Sequence, residues 1–228
     1  MEFSLQMPDN GGFPGIAGFG EPAYHLFFDT VVAYHDAEGR KEDAVNPFPE
    51  DSLESLFFSK CYIDTLQWHA EDDIRDPAIQ PEKALAIKRR IDGLNQERTD
   101  LVESIDSRIL SRYAAVAARP EARVNSETPA WALDRLSILA LKIYHTEAEV
   151  KRPDAPAEHI ERCRRRLDVL YDQRGDLCRS IDELLLDISS GVKYMRTYRQ
   201  MKMYNDPALN PVLYKTVKQK TNPVGPGL

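Results

Sequence analysis

The chain has 228 residues, 42% apolar and 29% charged, and a formal net charge of −7. That length buries a sizeable core without metal or disulfide staples, and the acidic balance argues against DNA as a partner. No stretch approaches the roughly 20 apolar residues of a membrane span, and Met1-Glu2-Phe3-Ser4 lacks the basic lead and apolar run of a signal peptide, so a cytoplasmic home is expected.

Residues 1–50 read as an N-terminal arm. Gly11-Gly12-Phe13-Pro14-Gly15 is a loop signal, Tyr24 to Tyr34 has the spacing of a short helix lid packed on the core, and Asn46-Pro47-Phe48-Pro49 breaks the chain. Asp51-Ser52-Leu53-Glu54 is a helix start, and that helix should reach about Arg75 before Pro77 ends it. Pro81 suits a first helical position, opening a helix to about Ala118. After a polar connection, Thr128-Pro129 starts a third helix to about Arg152. A fourth runs from near Pro156 to Ser190, where Gly191 breaks it. One more short helix to Tyr204, then irregular structure imposed by Pro207, Pro211, Pro223 and Pro226, should complete a C-terminal extension over 192–228. Cys61, Cys163 and Cys178 fall within these helices without metal or redox spacing and read as buried thiols.

The four long helices look duplicated. Trp68–Asp106 laid over Tyr144–Asp182, a gapless shift of 76, is identical at 14 of 39 positions. The matches include His69/His145, Glu71/Glu147, Pro77/Pro153, Arg98/Arg174, Asp100/Asp176 and Ser104-Ile105-Asp106/Ser180-Ile181-Asp182. Two tandem helical hairpins in an all-α bundle with an approximate two-fold axis are therefore expected, covering residues 51–191. Arg98 and Arg174 each interrupt an apolar stripe and need counter-charges. Glu147 lies in a row with Leu136, Ala140, Ile143 and Val150, so the expected pairs are Glu147 with Arg174 and Glu71 with Arg98. The first copy is wetter: the row of Glu71 carries Asp64 and Gln67 where the second has Ala140 and Ile143, and beside Arg98 stands Asn95 in place of Tyr171.

These features nominate His69, Glu71, Asn95, Arg98, Asp100, His145, Glu147, Arg174 and Asp176 as candidate ligand-binding residues. The leading expectation is a non-catalytic bundle, homodimeric, that binds a protein partner or a small anionic ligand and needs no cofactor. An alternative is a Mg²⁺-dependent hydrolase holding its ion with Glu71, Asp72, Glu97 and Asp100, since hard cations take carboxylate oxygens. That acidic arrangement resembles the all-α nucleotide pyrophosphohydrolases of the MazG and dimeric dUTPase type, departing from their first motif in placing Arg75 three positions after Asp72. A third reading concerns the tail. Residues 192–228 carry seven Lys/Arg against one Asp, which makes them +6 and the rest −13, and Tyr194, Tyr198 and Tyr204 are interleaved with basic residues in a pattern that suits RNA.

Gln67-Trp68-His69-Ala70-Glu71-Asp72, Leu94-Asn95-Gln96-Glu97-Arg98-Thr99-Asp100-Leu101, Glu127-Thr128-Pro129, Asp134-Arg135-Leu136-Ser137-Ile138 and Lys202-Met203-Tyr204-Asn205-Asp206-Pro207-Ala208-Leu209-Asn210-Pro211 resemble a bacterial family, the domain of unknown function numbered 4254. The resemblance spans about residues 50–215 and implies a compact, mostly helical bacterial protein. It brings no activity, substrate or catalytic residues with it.

Overall fold

In the computed structural model the described residues are 18–36, 45–198 and 208–213. Five long helices occur among them: α1 (Gly20–Asp36), α2 (Leu53–Asp73), α3 (Pro81–Arg112), α4 (Pro129–Lys151) and α5 (Ala157–Ser189). The expected hairpins are present as α2–α3 and α4–α5, with helix lengths of 21 and 32 residues in the first and 23 and 33 in the second. No described helix is long and apolar enough to cross a membrane. The chain divides into a compact unit, Met1–Thr197, and a second unit, Tyr198–Leu228. In the second unit Asn210 accepts the Val212 amide at 3.0 Å, an Asx turn on an Asn-Pro step. Most of the tail invoked for RNA binding, and the loop Gly11–Gly15, lie outside the described residues.

The helix ends follow local chemistry. Ser52 accepts the Ser55 amide at 3.0 Å and Thr128 accepts the Trp131 amide at 3.3 Å, each satisfying one of a helix's orphan N–H groups. The aspartates of the two Ser-Ile-Asp segments cap other helices. Asp106 accepts from Ala130 at the start of α4, at 3.1 Å, and Asp182 accepts from Gly18, Phe19 and Gly20 at the start of α1, at 3.1, 2.8 and 2.8 Å. A carboxylate there also meets the positive end of the helix dipole. At the far end of α5 the Gly191 amide bonds Ile188 and the Val192 amide bonds Asp187, the pattern of a Schellman cap, with Gly191 at φ +71°.

The helix expected over Tyr24 to Tyr34 is present as α1 and packs on the core, while two other expectations need correction. Leu26, Phe27, Thr30 and Val31 are fully buried and Phe27 and Phe19 pack on Phe57 of α2, so α1 forms part of the main core with α2, α4 and α5. Its start lies so close to α5 that a Cβ on Gly20 would fall 2.5 Å from the Cys178 carbonyl. Helix α3 stops at Arg112 rather than near Ala118, and the segment after Gly191 opens as a strand, not a helix. Both follow from one pairing: β1 (Arg123–Asn125) runs parallel to β2 (Lys193–Met195), and the Arg119 and Arg123 amides donate to Gly191 and Val192. All three cysteines are buried and free.

Candidate functional site

A lysine lies at the centre of the bundle. On α2, Phe57, Lys60, Cys61, Asp64 and Thr65 share one buried face, and Lys60 is 1% exposed. Its ammonium meets Asp64 Oδ2 one turn on at 2.5 Å, Asp134 Oδ1 of α4 at 2.9 Å and the Asp134 carbonyl at 3.2 Å. Arg98 of α3 closes the group, with Nε donating to Asp134 Oδ1 at 2.9 Å and Nη2 to Oδ2 at 2.5 Å. Ser137 donates to Asp64 Oδ2 at 2.5 Å. Two cations and two carboxylates thus form a neutral quartet, the arrangement that makes buried charge tolerable. Burial raises the Asp64 carboxyl above its ordinary range, opposed by Lys60 and by the Lys60 and Ser137 hydrogen bonds. Asp64 Oδ1 lies 3.2 Å from Arg98 Nε without hydrogen-bond alignment.

Arg98 is the quartet's link to solvent, at 25% side-chain exposure. It borders two clefts. One, of about 560 Å³, runs between α3, α4 and α5 and is lined by Arg98, Arg135, Ile138, Lys142, Asp176 and Leu177 among others. The other, of about 250 Å³, is lined by Asp64, Trp68, Glu71, Asp72 and Arg75 with Arg98 and Ile138.

The expected Glu–Arg pairs are absent. Arg98 takes Asp134 and Asp64, while Glu71 pairs at the surface with Arg75, in the turn just past the end of α2. Asp64 and Glu71 lie on the same face of α2, two turns apart, so the arginine met the expected face about 10 Å away along the axis. Arg174 reaches Glu21 of α1 at 3.4 Å and lies 4.8 Å over the Tyr24 ring, and Glu147 instead pairs with Lys151 and accepts from the Tyr171 hydroxyl at 2.7 Å. In the 76-residue alignment Ala140 stands opposite Asp64, so α4 has no such carboxylate for Arg174. Asp100 accepts from Gln96 at 2.8 Å on the surface, Asn95 accepts from Thr99 through its carbonyl, and Asp176 lines the larger cleft.

The proposed Mg²⁺ cage does not assemble. Glu71 and Asp72 line the 250 Å³ cleft, whereas Glu97 and Asp100 line another beside Phe58 and Tyr62. Residues three or four apart share a helix face, but these two helices present the acidic pairs to opposite sides of their hairpin.

His69 and His145 do come together, joined by His35 of α1. The ring centroids are 5.1 Å apart for His35–His69, 5.2 Å for His35–His145 and 5.7 Å for His69–His145. Burial, then the two neighbouring histidines, holds the His145 imidazole down to a pKa of about 4. Lys60, Asp134, Ser137 and His35 were missed by sequence reasoning. For the first a signal existed: a Lys-x-x-x-Asp pair lying in an otherwise apolar stripe. For His35 none did, because nothing in α1 specifies its neighbours.

The family model for the protein of unknown function DUF4254 matches residues 54–197, well over half of the chain, and the chain belongs to that family. No curated protein and no solved structure matches it.

Proposed function

We propose that this member of the DUF4254 family binds a small organic anion in the cleft between α3, α4 and α5, without acting on it chemically. The observation that carries this reading is the state of Arg98. Its Nε and Nη2 are fixed on Asp134, while Nη1 donates to no described residue at the wall of a 560 Å³ cleft. A guanidinium pre-aligned by one carboxylate loses little freedom on meeting a second anion, which favours a carboxylate or phosphate there. Lys142 adds positive charge along α4, where Arg135 is held by Glu127, and Ile138, Leu139 and Leu177 supply apolar wall for the rest of the molecule. The volume falls within the range of small-molecule sites. The lining groups bind and neutralise. They do not form a nucleophile with a base and an orienting partner.

Thermal unfolding with a panel of carboxylates, phosphate monoesters and nucleotides tests this. A compound present at 100 times its Kd stabilises by about 2.7 kcal/mol, a shift of roughly 5–10 °C for a chain of this size. Lys142→Ala should weaken that response and Arg75→Ala should leave it unchanged, with the compound recovered intact. A panel without effect, or Mg²⁺-dependent turnover of a nucleotide, would count against the proposal.

A further inference from the structure

Three histidines from three helices converge at one point, and aromatic packing alone does not require their nitrogens to meet. His35 is on the last turn of α1, His69 is near the end of α2, and His145 is in α4. One ring nitrogen from each lies within 4.8 Å of the others, the only such trio of metal-ligating side chains among the described residues. His35 Nε2 and His69 Nε2 face each other at 3.1 Å. Two imidazole nitrogens on a tetrahedral zinc ion, each about 2.0–2.1 Å from the metal, sit roughly 3.3 Å apart. That pair is therefore already at coordinating separation, and the third nitrogen has at most about 1.5 Å to travel.

The proton positions favour a cation. His35 Nδ1 is 2.7 Å from the Val31 carbonyl, which can only accept, so Nδ1 carries the hydrogen and Nε2 turns its lone pair toward His69. Fixing the tautomer through a backbone carbonyl is how proteins orient metal-ligating imidazoles. Without a metal, His69 must place its own Nε2 hydrogen in that 3.1 Å gap, and a cation would take that hydrogen's place. His145 Nε2 is buried with no hydrogen-bond partner, a condition proteins generally avoid. Each ring also has an aromatic wall. Tyr144 stacks on His35 at 4.3 Å, Tyr34 on His69 at 5.3 Å, and Trp68 on His145 at 4.8 Å with 4° between planes. Rotamers pinned in this way are the preorganisation a metal site needs.

We propose that His35, His69 and His145 bind one divalent transition-metal ion of the zinc class through their ring nitrogens, leaving a coordination position for water or a small anion. Neutral imidazoles suit Zn²⁺, Ni²⁺ and Cu²⁺, and the trio includes no carboxylate to hold Mg²⁺ or Ca²⁺. None of the three histidines lines the anion cleft at Arg98.

Untagged full-length protein, stripped with EDTA, is titrated calorimetrically with ZnCl₂, NiCl₂ and MgCl₂. Saturable uptake of one zinc ion per chain and no magnesium response are expected. His35→Gln, His69→Gln and His145→Gln should each weaken zinc binding at least about tenfold, while His25→Gln and His159→Gln should not. Should a variant fail to fold, the wild-type protein decides the matter. One equivalent of zinc should shift the ring-nitrogen NMR signals of three histidines and leave His25 and His159 in place. No saturable zinc uptake by the wild type, undiminished uptake by folded His35→Gln, or shifts at His25 and His159 instead would overturn the proposal.

Discussion

Lys60→Leu removes the one ammonium at the centre of the quartet. Lys60 is 1% exposed and touches Asp64 at 2.5 Å and Asp134 at 2.9 Å, so its loss leaves two carboxylates against the single charge of Arg98. Breaking a buried pair from one side costs about 3–5 kcal/mol, a large part of the roughly 5–15 kcal/mol that holds a domain folded. The melting temperature should fall by about 6–20 °C. Leu136 and Ala140 occupy the positions that match Lys60 and Asp64 in the second copy, and both are fully buried. Lys60→Leu with Asp64→Ala therefore imposes the second copy's apolar pattern and leaves Arg98 and Asp134 as a matched pair. Replacing a whole ion pair by apolar groups is often close to neutral, so the double variant should lie within about 1–2 kcal/mol of wild type, the remainder reflecting the Ser137 hydroxyl's lost acceptor. Urea unfolding followed by far-UV circular dichroism measures both, with unchanged slope as the sign that only stability moved. A single variant that costs less than about 1 kcal/mol, or a double variant less stable than the single, would refute the reading of the quartet as a mutually neutralised group.

Asp182→Ala strips the carboxylate from three amides at the start of α1 and should cost about 1–2 kcal/mol; faster hydrogen exchange in the first turn of α1 would locate the loss. Gly191→Ala should destabilise by more than about 1 kcal/mol, since the backbone is at φ +71° and the added Cβ would lie 2.5 Å from the Ala117 carbonyl. Gly93→Ala, in an exposed helical position with nothing within 4 Å, should stabilise by about 0.5–1 kcal/mol in the same denaturation assay. Burial pushes the Cys61 and Cys178 thiols up to about 12 from 9.0, so neither should react with Ellman's reagent at pH 8 until the protein unfolds. Because the unfolded thiols ionise first, stability is intact below pH 9 and should decline as pH rises from there toward 12, which pH-dependent melting would show.

Much of the helical frame was legible because its signals are local. Ser52, Pro81, Thr128 and Gly191 each act within a few residues, and each marks an observed boundary. The misplaced end of α3 was not local. Residues 113–118 include four alanines and favour helix, yet the chain turns so that β1 can pair with a strand 70 residues downstream. Periodicity also gives a helix face but not the register along a pair of helices. Periodicity alone therefore pairs Arg98 with Glu71, whereas packing brings it Asp64 on the same face. Asp64 was nonetheless visible as an acid in the first copy where the second has alanine.

The two matched arginines end in different surroundings, and α1 accounts for the difference. It brings Glu21 to Arg174, Tyr24 beneath its guanidinium and Gly20 against α5, so Arg174 is satisfied from outside the α4–α5 hairpin. Arg98 gets its carboxylates from α2 and α4 and lines two open clefts. The same helix places His35 beside both His69 of α2 and His145 of α4. Any two-fold relation between the hairpins is thus broken by a single element that closes one arginine site, leaves the other open, and turns a pair of histidines into three. Charge at Arg98 and imidazole at His35 are for this reason where binding is to be sought, and the two sites can be altered separately.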